Sequence, residues 1–178
     1  MDQIAERLGV SKVPVREAIT RLTGEGWLEV RPHSGPVLPV ITAAEVRETA
    51  LIRSALESTA IQAAAQHHDA SSHAALAELL DRMDGAVEDF PRLNLELHTA
   101  VIAPARYPRM KHMAVSLMER ALHYQIVHRV PGYLDQAQIE HREIVEALTG
   151  GDVERAGDLT KTHVLTAAER LASAMEER

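Results

Sequence analysis

Residues 8–19 read Leu8-Gly9-Val10-Ser11-Lys12-Val13-Pro14-Val15-Arg16-Glu17-Ala18-Ile19, and this stretch decides the fold of the N-terminal segment. Gly9 supplies a C-terminal stop for a short helix over 2–8, where Ile4, Ala5 and Leu8 share one face. Ser11 is placed to cap a second helix from Lys12 to about Gly24, and Pro14 is tolerated in its first turn. Val15, Ala18, Ile19 and Leu22 recur at helical spacing and form its apolar stripe. Two short helices joined by a tight glycine-containing turn make a helix-turn-helix. Lys12 and Arg16, four residues apart, fall on the exposed face opposite Val15 and Ile19. By themselves they fit a solvated face. At the start of a recognition helix they fit contacts to bases and phosphates, with the arginine suited to bidentate pairing with guanine.

After Gly26 the pattern changes. Trp27-Leu28-Glu29-Val30-Arg31 and Val37-Leu38-Pro39-Val40 are short β-prone runs around Pro32-His33-Ser34-Gly35-Pro36, so a small hairpin is expected. From Thr42 onward only helical signals follow. Thr42-Ala43-Ala44-Glu45 has the spacing of a capping box opening a long helix to about residue 68. Further helices are expected over about 71–87, from Phe90-Pro91 to Ala103-Pro104, from Pro108 to about His128, on to Thr149 after a break at Pro131-Gly132, and from Asp152 to the C-terminus. The expected fold class is mainly α: a winged helix-turn-helix over 1–41 and an antiparallel bundle of about six helices over 42–178.

Composition agrees with that division. Aromatic residues are only 3% of the 178, so the core is left to Leu, Ile, Val, Ala and Met, which suits closely packed helices. No cysteine is present, which excludes disulfides and thiolate metal sites. No apolar run approaches the ~18–20 residues of a membrane span, and no signal-peptide pattern opens the chain, so a cytoplasmic protein is expected. The net charge of −7 is unevenly spread: residues 1–41 carry five basic and five acidic side chains, residues 42–178 fourteen and twenty-one. The N-terminal segment is thus neutral, a weak electrostatic footprint for DNA.

The 8–19 stretch resembles the turn and recognition helix of the GntR family, whose members carry Val-Ser-Arg-x-Pro-Val-Arg-Glu-Ala-Leu there; Leu22, Glu25-Gly26 and Gly35 match in kind and spacing. The resemblance implies a DNA-binding regulator and no enzyme. It assigns Lys12, Val13 and Arg16 to the major groove and His33, Ser34 and Gly35 at the wing tip to the minor groove. Lys12 stands where arginine is usual, and a lysine pairs with guanine less rigidly than an arginine does. Family members also carry a further helix before the first one seen here, and this sequence starts without it. Ile4 and Leu8 are therefore expected to lose part of their packing, at ~1–3 kcal/mol per large side chain, with DNA affinity reduced.

Ten histidines are present, and most need no special role. His67 and His68 sit at a helix end, where cationic side chains suit the helix dipole. Asn94 and His98 form an i, i+4 pair. His141 lies about nine residues before the Gly150-Gly151 turn and His163 about twelve after it, a mismatch of ~4–5 Å along two antiparallel helices. Ile144, Val145 and Leu148 after His141, and Leu159, Val164 and Ala167 around His163, aim both inward. Three imidazoles and an amide oxygen converging in a bundle suit zinc, nickel or a similar divalent ion. Three hydrogen-bonded core histidines satisfy the same spacing.

Asn94-Leu95-Glu96-Leu97-His98 is similar to the Asp/Asn-x-x-Phe-His signature of the FadR-like effector domain (FCD) found in the FadR subfamily of GntR regulators. Glu140-His141-Arg142-Glu143-Ile144-Val145-Glu146-Ala147 resembles its Glu-His-x-x-Ile-x-x-Ala block, and Gly151-Asp152, Ala156 and His163 its last helix. Arg53 and Leu56-Glu57 are similar to its first helix. The resemblance implies metal ligands Asn94, His98, His141 and His163, and a small carboxylate effector. It also implies a homodimer reading a pseudo-palindromic double-stranded operator. Asn94 replaces the frequent carboxylate and Arg106 a frequent asparagine. Arg53 and Arg120 are candidates for the effector's anionic end, or else ordinary ion pairs. Two other readings compete: a metal-dependent hydrolase or lyase, with Glu96 and Glu140 adjoining ligand positions, and a structural metal bundle in an adaptor.

Overall fold

The computed structural model describes residues 1–32, 34–127 and 133–177. The chain divides into two compact units, Met1–Ile41 and Thr42–Arg178.

In the first unit, helix α1 (Asp2–Leu8) ends where Gly9 turns left-handed at φ 65°, and helix α2 (Lys12–Gly24) follows. Ser11 holds the extended N-cap backbone, but its side chain makes no capping hydrogen bond. Ala5 and Val15 are the buried apolar contacts, whereas Ile4, Leu8, Val10 and Val13 are exposed. Strands β1 (Glu29–Arg31) and β2 (Gly35–Val37) pair antiparallel with Arg31 opposite Gly35. The second strand therefore begins earlier than the β-prone run Val37–Val40 suggests. A short loop fixes the register: Gly35 takes φ 76°, which closes the hairpin just after Ser34, and Pro36 is tolerated in a two-stranded ribbon that needs few ladder donors. The expected wing residue His33 lies outside the described residues.

The second unit contains α3 (Ala43–Ala65), α4 (Ala70–Met83), α5 (Phe90–Ile102), α6 (Pro108–Val127), α7 (Tyr133–Thr149) and α8 (Val153–Glu176). Thr42 accepts a hydrogen bond from the Glu45 amide, as the capping spacing requires. The Glu45 carboxylate does not reach back, because it accepts from Arg120 at 2.7 Å and from the Tyr124 hydroxyl at 3.0 Å. A charge-assisted pair outcompetes a neutral cap. A complete capping box occurs instead at Asp69 and Ser72, opening α4. Asp152 caps α8 through the Arg155 amide.

The bundle core is aliphatic: Ala60, Ile61, Leu76, Leu80, Met83, Leu93, Leu97, Val101, Ile102, Ile144 and Leu148 are all buried. Helices α3 and α8 pack most extensively and run antiparallel, with Arg47 paired to Glu169 and Glu176 and Gln62 against Gly157. A Cβ at Gly157 would stand 2.4 Å from the Gln62 amide nitrogen, so the missing side chain lets the two helices approach. Helix α5 packs on α3, and α7 on α8, so four helices surround one stretch of interior. Among the described residues, no helix is long and apolar enough to cross a membrane.

Candidate metal centre

Three of these helices each deliver one imidazole to the same point. His98 comes from α5, His141 from α7 and His163 from α8; all three are buried, and one nitrogen from each lies within 4.8 Å of the others. The His141 and His163 Nε2 atoms are 3.1 Å apart. Two nitrogens bound to one ion at ~2.1 Å would stand at much the same separation. Ring centroids lie 5.3 Å apart for His98 and His141, and 4.5 Å apart for His141 and His163. Phe90 stacks beside His141 at 6.1 Å and closes that side with an apolar ring.

What fixes the rings is not visible in the spacing of the histidines. His98 Nδ1 donates to Glu57 Oε2 at 2.7 Å, and His163 Nδ1 donates to Glu140 Oε2 at 2.7 Å. Each carboxylate is in turn paired with an arginine. Arg53 Nε donates to Glu57 Oε1 at 2.6 Å, and Arg170 donates to Glu140 Oε1 at 3.4 Å. The centre is thus flanked by two relays, Arg53–Glu57–His98 and Arg170–Glu140–His163. A carboxylate on Nδ1 sets the tautomer in which Nε2 carries the free lone pair, the arrangement found behind metal-binding histidines.

Charges follow from the geometry. Burial pushes the Glu57 carboxyl up, but Arg53 and His98 outweigh it and hold the group at about 2. Burial is again the largest influence and works against the charge on Glu140, but the hydrogen bond and charge of His163, the Gln136 hydrogen bond and the Arg170 charge together outweigh it, leaving that carboxyl below its usual range. Burial, then the neighbouring His163 and His98, drives His141 well below the ordinary histidine value. Burial also lowers His163, opposed by Glu140. Burial therefore favours the neutral form of His141 and His163, the form that donates a lone pair.

The donor set fits a borderline divalent ion on a further observation. Asn94 Oδ1, His98 Nε2 and His141 Nδ1 are buried without a hydrogen-bond partner among the described residues. Unpaired buried polar atoms are costly, and a bound ion would satisfy the first two. Asn94 sits one turn before His98 on the same face of α5. A void of about 10 Å³ lies beside His98 and His141, the size of one water, with Leu97, Val101 and Ile144 among its walls.

The other candidates are placed as follows. Arg53 is buried in its relay, and Arg120 is half-buried against Glu45 and Tyr124. Glu96 is exposed and paired with Arg82 and Arg92, away from the centre. Arg106 is exposed. His68 is satisfied by Ser72 and the Val101 carbonyl. In the first unit, Lys12 pairs with exposed Asp2 at 2.8 Å, Val13 is exposed, and Arg16 lies on the exposed face of α2. Ser34 lies in the hairpin turn, its amide on the Arg31 carbonyl, and Gly35 opens β2.

Comparison with known proteins agrees with both units. Residues 48–166 match the FCD domain, and residues 1–37 match the bacterial regulatory proteins of the gntR family. The chain belongs to the GntR family. It is a transcription regulator with a GntR DNA-binding domain and an FCD domain. It is 31% identical over 170 residues to a probable D-xylose utilization operon transcriptional repressor of Paenarthrobacter nicotinovorans, covering 91% of this chain and 74% of that protein. The solved structure of Escherichia coli McbR/YncC is 25% identical, with a TM-score of 0.83, covering 99% of this chain and 85% of that one. A putative GntR regulator from Rhodococcus sp. RHA1 is 26% identical, with a TM-score of 0.81, covering 97% and 86%. These families and relatives are regulators, not enzymes. The hydrolase or lyase reading falls with that finding. Glu140, its nearest candidate base, is occupied behind the His163 ring.

Sequence reasoning missed Glu140 and Arg170 as supports of the centre. Glu57 had a legible signal. It falls on the stripe Ala50, Ser54, Glu57, Ile61, Ala64, and a carboxylate on a buried stripe needs a partner.

Proposed function

We propose that this regulator adjusts its operator affinity through a small carboxylate metabolite bound at a divalent ion, zinc or nickel. Residues 1–41 form the DNA-reading domain and residues 42–178 the sensing domain. Asn94, His98, His141 and His163 hold the ion, which supplies a Lewis-acidic position for an anionic oxygen. The observation that carries the reading is the pair of carboxylate-buttressed imidazoles beside the unpartnered Asn94 Oδ1 and His98 Nε2. Lys12, Val13 and Arg16 enter the major groove, and the wing around His33, Ser34 and Gly35 the minor groove. The chain works in the cytoplasm as a two-fold dimer on a pseudo-palindromic site, since such symmetry matches two recognition helices to two half-sites.

For the effector's far end, Arg53 and Arg120 are already engaged with Glu57 and Glu45. Arg170 joins them as a candidate, because its buried Nη1 has no hydrogen-bond partner among the described residues. An anion changes operator affinity only by binding one arrangement of the bundle better than another.

Fluorescence anisotropy on a duplex from upstream of the gene, against a scrambled duplex, tests the reading. Preferential binding that weakens steeply with salt is expected. His141→Ala should keep that binding and lose its response to zinc plus carboxylates. Equal affinity for both duplexes, or an unchanged response in the variant, would refute it.

A further inference from the structure

The charges around the centre balance before any ion arrives. From α3 comes the pair Arg53⁺ and Glu57⁻; from α7 and α8 comes the pair Glu140⁻ and Arg170⁺. The groups proposed to face the ion are three imidazoles, which can coordinate only as neutral ligands, and the neutral amide of Asn94. Among the described residues no carboxylate of these pairs is left over, because Glu57 and Glu140 are each shared between one histidine and one arginine. A divalent ion would therefore bring two uncompensated positive charges into an interior where charge is poorly solvated.

We infer that the metal and an anionic co-ligand bind this chain as a coupled pair, and that Asn94 is the residue that couples them. The inference rests on the metal reading above. An aspartate at position 94 would cancel one of the two charges from within the protein. The asparagine leaves that work to the arriving anion, so the anion gains a stronger electrostatic hold and the metal alone a weaker one. Coupling of binding free energies is reciprocal: whatever factor the anion adds to metal affinity, the metal adds to anion affinity. Neither ligand alone then fills the site well, and the chain responds to their joint presence.

The test measures zinc affinity of the metal-free full chain by competition with a chromogenic chelator. One series contains sodium acetate, and the other sodium perchlorate, a poor ligand, at equal ionic strength. Acetamide, the neutral isostere of acetate, is the control. Wild-type affinity should rise about tenfold in acetate and be unmoved by acetamide, within the range of ordinary coupling. The weak capture of zinc by acetate in solution works against this result. Asn94→Asp should bind zinc more tightly than wild type in perchlorate and gain little more from acetate. An acetate-independent zinc affinity in the wild type, or an equal acetate response in Asn94→Asp, would overturn the coupling. The wild-type series stands alone if the variant does not fold. Zinc binding that persists undiminished in His141→Ala would instead overturn the metal reading beneath it.

Discussion

Replacing Glu57 by glutamine isolates one charge at the centre of the bundle. The side chain is fully buried, accepts from Arg53 at 2.6 Å and from His98 at 2.7 Å, and has its carboxyl held at about 2 against an ordinary 4.5. That depression corresponds to about 3 kcal/mol of stability. The sign follows from proton uptake: the unfolded chain protonates Glu57 near pH 4.5 and the native chain only near 2. The contribution is therefore complete above pH 4.5 and lost as pH falls toward 2. An independent route gives the same scale, since breaking one partner of a buried pair costs about 3–5 kcal/mol. Glu57→Gln keeps the shape but strands the Arg53 guanidinium, so the helical unit should melt about 6–12 °C lower at neutral pH, followed by far-UV circular dichroism. Replacing Arg53 by methionine in the same chain should recover part of the loss, because the two changes are coupled. The variant should also bind zinc about 10–100-fold more weakly, as His98 loses its charged support. A loss of less than about 1 kcal/mol in the single variant would show that the relay does not carry this charge in the interior.

Three further outcomes are expected. In the metal-free chain, His141 and His163 stay neutral below their ordinary value of 6.5 while the unfolded chain takes up protons, so stability should fall as pH drops through about 6.5. A melting temperature that does not change across that window would contradict the burial argument. Ile61→Ala, at a fully buried position, should cost about 2–5 kcal/mol in denaturant titrations, whereas Leu51→Ala on the exposed face of α3 should stay within about 0.5. Arg16→Ala should cost about 1–3 kcal/mol of operator binding and relax base preference, whereas Lys12→Ala should weaken all duplexes alike and reduce the salt slope by about one. Base preference left unchanged in both variants would mean that neither side chain reads a base.

Much of the architecture is local and so was written in the sequence. Gly9 must turn left-handed, Thr42 and Asp152 cap the helices that follow them, and apolar residues at helical spacing commit the 42–178 segment to a bundle. The meeting of His141 and His163 is nearly local as well, because one tight turn joins their helices and a residue count sets their level. What required the tertiary structure is whatever depends on helices far apart in the chain. Glu140 follows no rule of its own helix: it turns from neighbouring His141 toward His163 on α8, because residues adjacent on a helix point about 100° apart. Glu45 leaves its cap for Arg120 seventy-five residues away, and Glu57 becomes a buried support only once α5 brings His98 against α3. Charged residues are exposed by default, and a sequence states their spacing but not the desolvation that makes a partner obligatory. Local hydrogen bonding and hydrophobic period determined the elements, and burial alone decided which carboxylates stand behind the histidines.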